Sequence, residues 1–476
     1  METTTPQPQD SEIYRDKLAT IDDKGKRVWI YPKKPKGRYY NWRMILSGLL
    51  LAFLFGMPFL KVNGEPFLLF NVLERKFILF GVLFMPQDFH LFVLAMLTFI
   101  VFIILFTVIF GRIFCGWACP QTIFMEMVFR KIEYWIEGDA NAQRRLNESP
   151  WTTQKAVKKI SKQVIFFAIA VLVANTFLAY LIGIDKVIQI ATEPVSKHAG
   201  GFVAMLLFSG AFYFVFSYMR EQVCIAICPY GRLQGVLLDK NSIVIAYDYI
   251  RGEPRGKITR ENSAASAKAS DTSLGDCIDC SLCVQVCPTG IDIRNGTQLE
   301  CVNCTACIDA CDEVMDKIER PRGLIRYDSA NGIETKRNKI FTARVIAYSA
   351  VLTVLLGVNV WLLSNRSDAE AVILRTPGML YQETKEGHIT NLYNYQVFNK
   401  TTKDMPIRFQ LVGIDGNIRP VGDIPVAAPG KMIEGAFFVD LKPQDLTDRK
   451  TKLTIEVYSG NMMVDKTKTN FLGPIK

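Results

Sequence analysis

The sequence predicts a multi-domain chain: an α-helical membrane bundle of five transmembrane helices, a cysteine-rich insert, and a C-terminal all-β segment. Three observations predict it. Windows of about 20 apolar residues, enough to cross about 30 Å of hydrocarbon, occur five times. Eight of the 12 cysteines fall in two short runs, and the residues after the last window alternate apolar and polar. At 476 residues and 49% hydrophobic, the chain has room for two or three units, one of them in a membrane.

The apolar windows lie near 43–60, 88–112, 163–184, 199–219 and 341–363. No short apolar stretch with a cleavage signal precedes the first, so the start is expected to stay on the chain. Lys24, Lys26, Arg27, Lys33, Lys34, Lys36, Arg38 and Arg43 crowd its approach, whereas loop 61–87 has only Lys61, Arg75 and Lys76. Loop 113–162 is basic again (Arg130, Lys131, Arg144, Arg145, Lys155, Lys158, Lys159, Lys162), and 185–198 holds only Lys186 and Lys197. Positive charge stays on the cytoplasmic side, so the N-terminus is expected inside and the segment after the fifth span outside. The net charge of +10 follows from that pattern and calls for no nucleic acid.

All 12 cysteines fall in the inner segments or at inner helix ends, on the reducing side, where cysteines serve as ligands or redox thiols more than as disulfides. Residues 277–288 read CIDCSLCVQVCP and 301–312 read CVNCTACIDACD, with Asp312 where the first run has Pro288. This doubled CxxCxxCxxxC rhythm is the bacterial dicluster ferredoxin arrangement, in which the fourth cysteine of each run serves the other cluster. Cys277, Cys280, Cys283 and Cys311 are therefore assigned to one 4Fe-4S cluster, and Cys301, Cys304, Cys307 and Cys287 to a second. Zinc held by paired CxxC motifs is the competing reading. A small-residue stretch at 261–273, ENSAASAKASDTS, reads as a flexible approach to the insert.

The four remaining cysteines form a repeat: CGWACP at 115–120 and CIAICP at 224–229. At the same offset Ala95, Met96 and Leu97 return as Ala204, Met205 and Leu206, so spans two and four read as copies of one unit. Cysteines at i and i+4 share a helix face, and the proline can begin the next helix. If the copies pack side by side, Cys115, Cys119, Cys224 and Cys228 converge on a soft metal such as Cu(I) or on a further iron-sulfur cluster; helix-end packing is the alternative. The first motif is followed by QTIFMEMVFRKIEYWIEG, expected as an amphipathic helix on the membrane surface. His90 and His198 lie roughly 25 residues before Cys115 and Cys224, about one bilayer at about 1.5 Å per residue, and are candidates for an outer copper or haem site.

The outer segment alternates in ITNLYNYQVF, PIRFQLVG, GAFFVDL and KLTIEVYS, with turns between, as in an immunoglobulin-like sandwich without a disulfide. Met462, Met463 and His388 are conceivable copper ligands there, with core or surface roles the default. No GxGxxG follows a strand and no P-loop occurs, which argues against nicotinamide, flavin or nucleotide chemistry.

The basic tail with IYPKKPKGRYYNWR, the segment GRIFCGWACPQTIFMEMVFRKIEYWIEGD, CPYGR, the doubled cysteine run and the outer sandwich together resemble the cytochrome c oxidase accessory protein family known as CcoG, FixG or RdxA. That resemblance implies a bacterial inner-membrane electron-transfer protein that assists assembly of cbb3-type cytochrome c oxidase, with cupric reductase activity and copper as substrate or transient ligand. The implied organisation is a cytoplasmic tail (1–42), a four-helix membrane region with both CxxxCP motifs (43–240), a cytoplasmic dicluster domain (241–338), a fifth helix (339–364) and a periplasmic immunoglobulin-like domain (365–476). Expected partners are the oxidase or its copper chaperones, an unidentified electron donor, and a second copy as a homodimer. A quinol-linked electron relay and a non-catalytic, redox-sensing assembly factor are the alternative functions.

Overall fold

A computed structural model describes residues 20–474 apart from 22–23, 25, 63, 74–75, 85–87, 258–273, 379, 385–386, 402, 423–424 and 447. The expected flexible stretch at 261–273 lies outside the described residues. Five helices are long and apolar enough to cross a membrane: Arg38–Phe59, Phe89–Phe110, Thr153–Ile182, Ala199–Met219 and Ala343–Ser364. The third starts ten residues before its apolar window and reaches 30 residues, about 45 Å. Its lysine-rich first turns are helical because they have acidic partners: Lys159 lies 2.9 Å and Lys162 3.0 Å from Glu137. A hydropathy window cannot register such pairing.

The chain forms two compact units, one of residues 1–57, 96–179 and 184–356, the other of 58–95, 180–183 and 357–476. In the first, the segment after CGWACP departs from the surface helix expected of it. It runs as a π-helical stretch Ile123–Phe129 followed by Arg130–Ile136, and Ile123, Phe124, Met125, Met127 and Phe129 are buried. Phe124, Met125 and Phe129 pack with Phe166, Val173 and Phe216, and the Phe129 and Phe216 rings stack 4.7 Å apart. The charged face is buried as well. Arg130, 2% exposed, meets Glu126 at 3.0 Å and Glu221 at 3.7 Å, Arg220 pairs with Glu133, and Arg27 reaches Glu221 at 3.0 Å. Amphipathic spacing predicted the face but not its covering, because charges supplied from distant segments let both faces go inside.

Between spans four and five lies a small α/β insert. Val244–Tyr247 pairs antiparallel with Ile325–Asp328, and the short helix Leu282–Gln285 and the longer Ala306–Lys317 carry the cysteine runs. Ile245, Ile293, Ile308, Met315, Leu324 and Ile325 form its core together with Cys277, Cys283 and Cys307.

In the second unit, residues read as a plain loop form a three-stranded antiparallel sheet, Leu68–Asn71, Lys76–Leu79 and Val82–Phe84, closed over Leu69, Ile78 and Leu83. The C-terminal part is an all-β sandwich with, among the described residues, nine strands: β1 Ala369–Arg375, β2 Gln382–Glu383, β3 Ile389–Asn399, β4 Met405–Val412, β5 Gly416–Pro420, β6 Val426–Ala427, β7 Met432–Leu441, β8 Lys450–Ser459 and β9 Met462–Leu472. One sheet runs β5-β7-β3-β1 with β2 on β3; the other runs β6-β4-β8-β9. Alternate residues point inward, as the two-residue period of a strand requires: Tyr393, Val397, Phe437, Val439, Leu441, Ile455 and Val457 are fully covered.

Asp88, 3% exposed at the head of span two, joins this unit together: Arg366 lies 2.6 Å and Lys400 2.8 Å from its two oxygens. Burial alone would raise its pKa, but hydrogen bonds from Lys400 and Arg366 hold the carboxyl below the usual carboxylate range. Asp88→Asn leaves Arg366 buried without its counter-charge and Lys400 with Glu370 alone and should cost about 3–5 kcal/mol, read as a lower unfolding temperature of the sandwich in the detergent-solubilised chain. Because the folded pKa is depressed, the wild-type contribution is complete above the unfolded carboxylate value of about 3.9 and fades as pH falls below it. Acid titration of unfolding should therefore separate wild type from D88N at neutral pH and bring them together in acid.

Candidate functional site

The two CxxxCP motifs fold into the same backbone turn. Cys115 and Cys224 lie in short helical segments, Ile113–Trp117 and Val223–Ile227, whereas Cys119 and Cys228 are extended and each is followed by a proline that starts the next helix. In both copies the second cysteine donates its N–H to the carbonyl five residues back, Cys119 to Phe114 at 2.9 Å and Cys228 to Val223 at 2.7 Å.

The structure brings the four thiols together. Burial pushes the Cys115 thiol up to about 11, with Cys119 and Cys228 adding to it and Arg112 and Gln234 opposing. Burial and then Cys119, Cys115 and Cys228 raise Cys224 to about 12. Without a ligand these two thiols are protonated at neutral pH, so metal binding here releases protons. The Cys115 thiol donates to Gln234 Oε1 at 3.3 Å.

The doubled run assembles as two further sets. Cys277, Cys280, Cys283 and Cys311 line one cavity, and Cys311, pushed up to about 12 by burial, also feels Cys283, Cys280 and Cys277. Cys301, raised by burial to about 12, has Cys304 and Cys287 beside it, and Cys307, raised well above the usual thiol range by burial, feels Cys304, Cys301 and Cys287 as well as Cys283. The crossed partition expected from the spacing is thus the spatial one, and the two sets adjoin.

The backbone around them suits clusters rather than single ions. Asp279, Ser281, Asn303 and Thr305, which flank Cys280 and Cys304, all adopt positive φ between 52° and 65°. Non-glycine residues rarely do so, and successive N–H groups in such turns form concave nests that bind anions and iron-sulfur centres. Asn303, 2% exposed, has its Nδ2 buried without a hydrogen-bond acceptor beside the second set, a donor placed where cluster sulfide would accept. Asp312, in the place of the second proline, accepts the Gly323 N–H at 3.0 Å and so closes its turn by another route.

The CxxxCP quartet and the second ferredoxin set are in contact. Cys115 packs in one apolar cluster with Val286, Val302, Cys304 and Ala306. Gly116 permits this approach, since a Cβ there would stand 2.5 Å from the carbonyl oxygens of both Val302 and Asn303. Arg43, 4% exposed, donates to Gly116 O at 3.0 Å and to Cys304 O at 2.8 Å. Arg112, 5% exposed, donates to Gln234 Oε1 at 2.7 Å and to the carbonyls of Gly231 and Leu299. Trp117 Nε1 donates to the Tyr327 hydroxyl at 3.0 Å, which donates to Asn303 O at 3.3 Å. None of these residues was singled out from the sequence. Arg43 reads there as a member of the basic flank of the first span, and Arg112 stands three residues before Cys115, a position that could have flagged it.

His198 Nε2 lies 3.0 Å from Glu193 Oε2 in its own segment, and His90 is the second residue of the span Phe89–Phe110. Met462 and Met463 open β9, while His388 precedes β3, whose Asn391 donates to Leu472 O at the far end of β9. Roughly 30 Å of strand separates the two ends, so these three residues form no copper site.

Residues 219–330 match a family described as 4Fe-4S dicluster domain, 92–138 one described as 4Fe-4S binding domain, and 359–474 one described as IG-like fold at the C-terminal of FixG. Protein RdxA of Cereibacter sphaeroides is 33% identical over 425 residues, which span 84% of this chain and 87% of the relative. Nitrogen fixation protein FixG of Rhizobium meliloti is 35% identical over 312 residues, 63% of this chain and 57% of its own. A solved FixG-related protein from Vibrio parahaemolyticus aligns with 22% of this chain and 97% of its own at 16% identity, with a TM-score of 0.20. Likeness to RdxA along most of both sequences, with iron-sulfur and immunoglobulin-like parts in the same chain, means that this membrane electron-transfer protein belongs to the FixG/RdxA family.

Proposed function

We propose that the chain carries single electrons from the cytoplasmic face of a bacterial inner membrane to Cu(II), producing Cu(I) for the copper centre of a cbb3-type cytochrome c oxidase. The observation that carries this reading is the packing of Cys115 against the apolar cluster of Val286, Val302, Cys304 and Ala306, which supports a path between the quartet and the second ferredoxin set. The proposed ligand sets are Cys277, Cys280, Cys283 and Cys311, and Cys301, Cys304, Cys307 and Cys287. When bound there, 4Fe-4S clusters accept and pass on one electron at a time. Cys280 is the exposed member of the first set, so a cytoplasmic one-electron donor or a membrane quinol oxidised in single steps is expected to meet the chain on that side.

At the other end, Cys224 lines a small cavity with Gln121, Thr122, Met125, Glu126 and Glu221. Cu(II) entering it meets the thiol of Cys224, the Met125 thioether and two carboxylates, one paired with Arg130 alone and one with Arg27 and Arg130. Sulfur favours the Cu(I) product over Cu(II), which raises the copper potential and eases the one-electron step. Arg43 and Arg112 act as positioning residues that hold the quartet against the second set. The N-terminus and the cluster-bearing insert would face the cytoplasm and the sandwich the periplasm, where it would dock the oxidase or a copper chaperone.

The purified protein, reduced anaerobically and freed of reductant, should be reoxidised by Cu(II) with one Cu(I) formed per electron, measured by cluster absorbance and a Cu(I)-specific chelator. In C115S/C224S the copper step should disappear while ferredoxin-type absorbance remains; full copper reduction in that variant would refute the reading. Gly116→Ala forces the quartet turn away from the Val302 and Asn303 carbonyls. Overpacking of this kind should cost about 1–3 kcal/mol, and stopped-flow reoxidation by Cu(II) should slow; an unchanged rate would disconnect the contact from electron flow.

A further inference from the structure

The geometry points to Cys115, Cys119, Cys224 and Cys228 as the ligands of a third 4Fe-4S cluster, seated between the dicluster insert and the copper cavity.

A cubane needs four cysteine ligands. The segment 92–138 matches a 4Fe-4S binding family, yet Cys115 and Cys119 are its sole cysteines. Two thiolates cannot complete the site, and the fold supplies the other two: Cys224 and Cys228 come from an identical turn and lie beside them. The quartet repeats the local chemistry of the second ferredoxin set. There the Cys301 thiol faces Asn303 Oδ1 at 3.5 Å, and the Nδ2 of that amide is buried without an acceptor. Here the Cys115 thiol faces Gln234 Oε1 at 3.3 Å. Gln234 is wholly buried, and its side-chain amide lies beside the Tyr230 hydroxyl as well as the Cys115 thiol. In each set an amide donor waits beside a thiol where cluster sulfide would accept it.

Charge agrees as well. Four thiolates around an oxidised cubane leave a net negative site, and the buried guanidinium of Arg112 lies against it through Gln234 and Gly231 while also contacting Leu299, just before the second ferredoxin run. A permanent cation shared between two such sites stabilises negative charge at both, and net charge and hydrogen bonding are among the main determinants of cluster potential. Copper is thereby assigned to the other groups of the cavity, the Met125 thioether and the Glu126 and Glu221 carboxylates, with Cys224 bordering it as a cluster ligand, and the quartet becomes the last carrier before it.

This assignment rests on the four-cysteine geometry and not on copper reduction, so the two fail separately. The test uses the full chain, purified anaerobically in detergent and reconstituted with iron and sulfide. Wild type should hold about 12 irons and about 12 acid-labile sulfides, C115S/C224S about 8 of each, and the single variant C228S fewer than wild type. Electron paramagnetic resonance of the fully reduced protein should show one signal lost in the variants with the ferredoxin pair retained. About 8 irons in wild type with both ferredoxin signals intact overturns the assignment, whatever the variants do. So does binding of Cu(I) by the quartet thiols in protein that already holds its full iron.

Discussion

A guanidinium does not shed its charge, and it carries five donors that burial obliges to find acceptors. That of Arg112 lies where the two CxxxCP turns and the second ferredoxin run meet, donating to Gly231, Gln234 and Leu299. Arg43 does the same between Gly116 and Cys304. Because most of these acceptors are backbone carbonyls, the two arginines hold main chain to main chain, and the thiols follow. Displacing either segment would leave a buried cation and several carbonyls unpaired, so the contact is rigid where an apolar interface alone would allow sliding.

The duplicated turn works with this clamp. Each copy offers one thiol from a helical turn and one from an extended residue ahead of a proline, so two copies facing each other present four thiols without any long-range design in either motif. The ferredoxin insert repeats that economy at smaller scale, with left-handed residues on both sides of the middle cysteine in each run. Local backbone geometry, copied twice, provides the donor sets, and packing decides which copies meet.

Burial has opposite consequences for thiols and carboxylates here. Burial raises the thiols of Cys115, Cys224, Cys283, Cys301, Cys304, Cys307 and Cys311, so that binding a metal or cluster there would release protons. Glu126, Glu133, Glu137 and Glu221 are enclosed with Arg27, Arg130, Lys159, Lys162 and Arg220, a network that brings paired charged groups to the edge of the cavity lined by Cys224. Such a network contributes arrangement more than stability, since desolvation offsets much of its Coulomb energy. Its position beside Cys224 places fixed charge next to the CxxxCP quartet.

Spacing alone determined the donor sets of the insert: CxxCxxCxxxC written twice admits the crossed partition, and the fold adopts it. Hydropathy located the five spans, and two-residue alternation located the sandwich, because period and length are local properties of a chain. What the tertiary structure decided depends on residues far apart in sequence. The helix after CGWACP is buried and not at a surface because Phe166, Phe216 and Glu221 cover it. The third span extends through four lysines because Glu133 and Glu137 are there to meet two of them. Loop 61–87 holds a small sheet whose short strands fell below any periodicity worth reading. Arg43, Arg112 and Gln234 stand outside the cysteine motifs and Gly116 inside one, and the role of each arises only when Cys115 is packed against the cluster that holds Cys304. A sequence names the groups able to bind; which of them share a site is settled by burial and by the hydrogen bonds that buried charges require.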